Sequence, residues 1–149
     1  MLKEGDRFPE FSLQDQDGKT VTNADLMGQK TVVYFYPKDD TPGCTVEACE
    51  FRDMAPSFPN ARVIGVSPDK PRAHVKFIAK FNLNFTLLAD TEHKLAEDCG
   101  VWVEKSMYGK KYMGVERSTF LLDEEGQVLK IWRKVKPEGH AKEVASALV

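Results

Sequence analysis

Two cysteines five residues apart, Cys44 and Cys49, follow the short run Thr41-Pro42-Gly43. Thr41 reads as a helix N-cap and Pro42 as the first helical residue. Cys44 then falls in the first turn, among backbone N–H groups that have no intrahelical acceptor. Those donors and the helix dipole favour an anion, which for a cysteine means a depressed pKa and a reactive thiolate. Burial works against that charge, so a nearby cation would help to decide the outcome. Helical phase adds a second expectation. Cys44, Ala48, Phe51 and Ala55 recur at offsets of four, seven and eleven, an apolar stripe suited to facing a sheet. Cys49 lies about 140° round the helix from Cys44, and in an intact helix their Cα atoms stand roughly 8–9 Å apart. A disulfide needs less than about 7 Å and converging Cβ vectors. The pair can therefore bond only if the first turns unwind, and a reduced folded form and an oxidised, locally unfolded form are both expected.

The same two residues could be ordinary small apolar side chains in a helix, since free cysteine behaves as a buried hydrophobe. Metal ligation needs partners, and the third cysteine, Cys99, and the histidines His74, His93 and His140 are scattered along the chain. No metal site is expected.

The elements that would position these residues follow from pattern. Phe11 to Val21 reads as a hairpin turning at Asp17-Gly18. Thr31-Val32-Val33-Tyr34-Phe35-Tyr36 is β-branched and aromatic without polar alternation, as in a strand buried on both faces. Arg62 to Val66 is a second such strand, and Phe85 to Leu88 a third. Pro71 to Phe81 has helical spacing with proline in the first turn. Ser118 to Leu122 and Val128 to Trp132 flank Asp123-Glu124-Glu125-Gly126, a hairpin signal, and a last helix runs from about Gly139 to the end. Alternating strands and helices followed by a hairpin predict a central mixed sheet with helices on both faces. A thioredoxin-like α/β sandwich with an N-terminal hairpin fits this order, as do several other α/β folds. The cysteine segment leaves the best buried strand at the carboxyl edge of the sheet, where open α/β sheets place their ligand sites.

The 149 residues suit one domain spanning 1–149, long enough to bury a core without staples. With 42% hydrophobic and 30% charged residues, the composition is neither disordered nor membrane-spanning. A net charge of −2 gives no footprint for nucleic acid or acidic lipid. The first residues hold no apolar signal region, and three sparse cysteines make a poor disulfide scaffold, so a cytoplasmic protein is expected.

The chain resembles the peroxiredoxins. Pro37-x-x-x-Thr41-x-x-Cys44 matches their active-site motif, and Thr-Pro-Gly-Cys with a second cysteine five residues on is similar to the Q-type, or bacterioferritin comigratory protein, branch. The likeness extends over Phe11-Ser12-Leu13 with Asp15 to Lys19, Val33 to Pro37, Gly65-Val66-Ser67, Asn84 to Asp90, Gly100-Val101-Trp102 and Arg117-Ser118-Thr119-Phe120. The resemblance implies a thiol peroxidase acting on hydrogen peroxide and small organic hydroperoxides. Cys44 would be the peroxidatic cysteine, becoming a sulfenic acid, and Cys49 the resolving cysteine, condensing with it to an intrachain disulfide. Thr41 would hydrogen-bond the peroxide, Pro37 would shield the sulfur and fix the loop, and Arg117 would stabilise the thiolate and the developing oxygen charge. Thioredoxin or a similar dithiol would reduce the disulfide, with no haem, flavin or metal cofactor. A resolving cysteine in the same chain suggests a monomer.

Two other readings use the same thiols. A thioredoxin-like disulfide oxidoreductase normally wants Cys-x-x-Cys, which this chain lacks. A redox sensor would unwind the same helix to alter a partner contact. Cys99, with Leu95 at i−4 and Gly100 next, reads as core near a helix end. Trp102 and Gly109-Lys110-Lys111 fall in a long irregular stretch. Glu47 has a dipole reason to stand in the first turns whether or not it bonds near the site, and Asp39-Asp40 reads as a solvated loop.

Overall fold

The structure is a computed structural model that describes residues 1–148. Its frame is a seven-stranded mixed sheet in the order β2-β1-β5-β4-β3-β8-β9. The N-terminal hairpin is β1 (Ser12–Asp15) and β2 (Thr20–Thr22), with Gly18 at φ +78 in the turn. The central strands are β3 (Lys30–Phe35), β4 (Ala61–Ser67) and β5 (Thr86–Ala89), paired parallel to one another. β8 (Ser118–Leu122) runs antiparallel to β3 and leads through a turn into β9 (Val128–Trp132).

The apolar run of β3 alternates between two cores, as the pleat requires. Val33 and Phe35 join Phe8, Ile64, Val66, Leu88, Phe120 and Leu122 on one face. Val32, Tyr34 and Tyr36 join Val63, Leu87 and Leu121 on the other. Helices α1 (Pro42–Met54), α2 (Pro71–Phe81) and α4 (His140–Ala147) cover the second face through Phe51, Phe77 and Val144. The short α3 (Lys94–Asp98) and Cys99 lie on the first. This is the thioredoxin-like sandwich, with helices on both faces.

The stretch expected to be irregular is ordered instead. β6 (Trp102–Met107) and β7 (Lys110–Val115) form a separate two-stranded ribbon. Tyr108 and Gly109 make its two-residue turn at φ +53 and +80, the positive pair that a type I′ hairpin needs. Its register brings Trp102 opposite Val115, two residues before Arg117. No helix among the described residues is long and apolar enough to cross a membrane.

Candidate active site

β3 ends at Phe35, and residues 36–41 carry the chain over the carboxyl edge of the sheet into α1. Cys44 sits in the first turn of α1 and is 1% exposed, with Ala48 and Phe51 buried in line with it. The apolar stripe read from the sequence thus faces the sheet as far as Phe51, while Ala55 is only half-buried where the helix gives way to a 3-10 turn.

The expected cation is in place. Arg117, in the link from β7 to β8, directs Nη2 to within 3.4 Å of Cys44 Sγ. Its other terminal nitrogen, Nη1, donates to Glu47 Oε1 at 2.8 Å. Glu47 lies three residues beyond Cys44 in a helix, so both point the same way and one guanidinium can span them. Gly43 makes room for this approach, because a Cβ there would stand 3.3 Å from both Arg117 Nη2 and Pro137 Cγ. Burial opposes the charge on Arg117, but Glu47 and Cys44 more than offset it and hold its pKa above the ordinary value. Burial pushes Glu47 up from 4.5 to about 7, against the attraction of Arg117. Glu47 is fully buried, and its Oε2 has no hydrogen-bond partner among the described residues. Tyr34, beneath them, is raised well above the ordinary tyrosine value by burial, then by the charges of Glu47 and Cys44.

Thr41 occupies the N-cap position of α1 with extended backbone, but its hydroxyl does not cap the helix. Oγ1 donates instead to the carbonyl of Lys38 at 2.9 Å. Spending its proton on that carbonyl leaves the oxygen lone pairs as acceptors. Pro37, half-buried, opens the same loop.

Cys49 is half-buried on a different face of the same unbroken helix, and both thiols are free. Its Sγ lies 3.6 Å from Arg52 Nη1, which also donates to the carbonyl of Phe81 at 2.7 Å. Asn84 donates to the Arg52 carbonyl at 3.0 Å, so the second half of α1 is tied to the loop after α2. Cys99 is buried in the opposite core, and burial raises its thiol pKa.

Asp39 is not solvated: it is 8% exposed and bonded to Tyr36 and His74, while Asp40 beside it stays exposed. Asp39, Asp69 and His74 cluster closely. His74 Nδ1 and Asp39 Oδ2, however, are 2.6 Å apart, closer than two ligands each about 2 Å from one tetrahedral cation would stand. This is a hydrogen-bonded pair. Glu47 stands five residues beyond Pro42, past the first turn of α1, so the dipole reason expected from the sequence does not apply and its ion pair with Arg117 is what accounts for it.

A thioredoxin-like sheet with a buried thiol at the helix start, a guanidinium against it and no Cys-x-x-Cys pair fits a thiol peroxidase rather than a disulfide exchanger. The chain matches the AhpC/TSA family over residues 4–131 and belongs to it. Peroxiredoxin Bcp of Bacillus subtilis is 53% identical over 146 residues, covering 97% of this chain and 93% of that protein. Peroxiredoxin Bcp of Escherichia coli K12 is 48% identical over 141 residues, covering 93% and 90%. Among solved structures, Xanthomonas campestris peroxiredoxin Q superposes with a TM-score of 0.87 at 45% identity, covering 93% of this chain and 89% of that one. The chain is an enzyme of this peroxidase class, with a peroxide as substrate and a thiol as reductant.

Proposed function

We propose that Cys44 is the peroxidatic nucleophile and Cys49 its resolving partner, in an atypical two-cysteine cycle closed within one chain. The observation that carries this is the placement of Cys44 Sγ at the start of α1 with Arg117 Nη2 at 3.4 Å. The Cys44 thiolate attacks one peroxide oxygen, the O–O bond breaks, and the departing oxygen leaves with a proton as water or an alcohol. Cys44 becomes a sulfenic acid. Arg117 steadies the sulfur before attack and the oxygen charge during it. The lone pairs of Thr41 Oγ1 accept the peroxide O–H, and Pro37 excludes water from the sulfur and shapes the loop.

The first turns of α1 then unwind and the Cys49 thiolate attacks the Cys44 sulfur. The S–S bond forms and the sulfenic oxygen leaves as hydroxide, which takes up a proton to become water. A dithiol protein of the thioredoxin type reduces the disulfide, reaching it through the half-buried Cys49 side. The substrates are hydrogen peroxide and small organic hydroperoxides. A groove of about 490 Å³ beside the helix start is lined by Pro42, Gly43, Val46 and Pro137 together with Lys136 and Glu138, and its apolar part suits a short alkyl group. Alkyl peroxide reduction is the stated activity of the Xanthomonas campestris bacterioferritin comigratory protein, 44% identical to this chain. The chain acts as a monomeric single domain in the cytoplasm.

The test is Cys44→Ser, which abolishes peroxide turnover in a thioredoxin-coupled assay. A variant that keeps most of its activity would assign the nucleophile elsewhere.

A further inference from the structure

The loop that delivers Thr41 and Pro37 is held by a buried polar network that touches neither cysteine. Asp39 is gripped on both carboxylate oxygens: Tyr36 Oη donates to Oδ1 at 2.5 Å, and His74 Nδ1 lies 2.6 Å from Oδ2. The Asp39 amide donates to Asp69 Oδ2 at 2.8 Å, and that oxygen also accepts the Ser67 hydroxyl at 2.6 Å. His74, on α2, is 0% exposed, with Nε2 3.0 Å from the carbonyl of Leu88 on β5. A carbonyl can only accept, so Nε2 carries a proton, and one further proton lies between Nδ1 and Oδ2. Asp39 thus ties the loop through its side chain to Tyr36, to α2 and, by way of His74, to β5, and through its amide to Asp69 beside the end of β4. The next residue, Asp40, has φ +59, a left-handed conformation uncommon outside glycine that persists where surrounding contacts hold it.

We propose that the Asp39–His74 pair is a latch with two effects on the catalytic cycle. Closed, it positions Thr41 and Pro37 for peroxide reduction; opening, it allows α1 to unwind for disulfide formation. The proposal rests on the assignment of Cys44 and Cys49 made above. Thr41 is two residues from Asp39 and its hydroxyl bonds the carbonyl of Lys38 next to it, so a loop movement that displaces the hydroxyl works against a carboxylate held at both oxygens. Unwinding the first turns frees Asp40 from its left-handed conformation and moves the chain directly beside the latch. Removing the grip therefore loosens the peroxide site and lowers the barrier to unwinding. The two chemical steps change in opposite directions.

The experiment uses Asp39→Ala and Asp39→Asn, each in the full chain and again with Cys49→Ser. Stopped-flow fluorescence in the Cys49→Ser background reads oxidation of Cys44 alone. The later phase in the full chain reads disulfide formation. Asp39→Ala should slow oxidation about tenfold, as for a modest misplacement of reacting groups. It should speed disulfide formation about tenfold, the fold-change that accompanies loss of a charge-assisted hydrogen bond. Asp39→Asn, which can still bond Tyr36 and His74, should move both rates the same ways by less. A pair that merely supports the fold would slow both steps or alter neither. Either result overturns the proposal, in Asp39→Ala or, should that variant fail to fold, in Asp39→Asn. A parent protein that forms no Cys44–Cys49 link would overturn the cysteine assignment and the latch together, and is recognised before any variant is compared.

Discussion

Glu47 is a buried carboxyl group that the folded protein prefers to keep protonated, and this makes stability depend on pH in a definite direction. Its pKa rises from 4.5 to about 7 on folding, chiefly through burial, with Arg117 opposing. Between those values the folded state retains a proton that the unfolded state has released. Stability from this group is therefore complete below about pH 4.5 and is lost as pH rises through about 7. At about 1.4 kcal/mol for each unit between the two pKa values, the loss is about 3 kcal/mol. Glu47→Gln removes the titration while keeping an oxygen for Arg117 Nη1. Urea unfolding of both proteins at about pH 4.5 and about pH 8 isolates the effect of Glu47 and its coupled neighbours, because groups that do not interact with it cancel in the difference. The native protein should lose about 3 kcal/mol relative to Glu47→Gln across that range. A difference that stays flat, or grows in favour of the native protein, would refute burial as the dominant influence on Glu47. The same pair bears on catalysis: Glu47→Ala, which frees Arg117, should slow peroxide reduction about tenfold or more, and Glu47→Gln much less.

Two glycines give predictions that separate activity from stability. Gly43→Ala should improve helix propensity by up to about 1 kcal/mol, yet its Cβ would meet Arg117 Nη2 at 3.3 Å. Peroxide reduction measured by stopped flow should fall about tenfold with little change in melting temperature, and an unchanged rate would show that the guanidinium has slack. Gly65→Ala should do the reverse. A Cβ in central strand β4 would stand 2.7 Å from Leu87 Cδ2 and 3.1 Å from the Tyr34 ring, costing about 1–3 kcal/mol by overpacking in a urea melt.

The sequence makes β3 and α1 legible because each satisfies several demands at once. The run Thr31 to Tyr36 is apolar on both faces of the pleat, and Thr41-Pro42 marks a helix start by backbone geometry alone. Cys44 and its apolar stripe follow from helical phase. Arg117 does not: it lies 73 residues from Cys44, and only the family motif singles it out, since spacing carries no information across a crossover of that length. The β6–β7 ribbon was missed because Glu104 to Met113 is polar and largely exposed, without the alternation that marks a half-buried strand. Its Tyr108-Gly109 turn was the available signal. Asp39 was misread because the burial of a loop carboxylate depends on what other elements bring to it. Here those are Tyr36, just past the end of β3, and His74 from a helix 35 residues away, and neither is visible as a partner along the chain.

The central claim is that Cys44 reacts first and that α1 unwinds to let Cys49 resolve it. Adding about one equivalent of hydrogen peroxide to the reduced protein, then mapping the product by intact mass and peptide analysis, tests it most directly. Rapid loss of two hydrogens with a Cys44–Cys49 link is the predicted result, because these thiols stand on different faces of an intact helix and can join only through unwinding. No fast reaction, or a link that includes Cys99 from the opposite core, would contradict it.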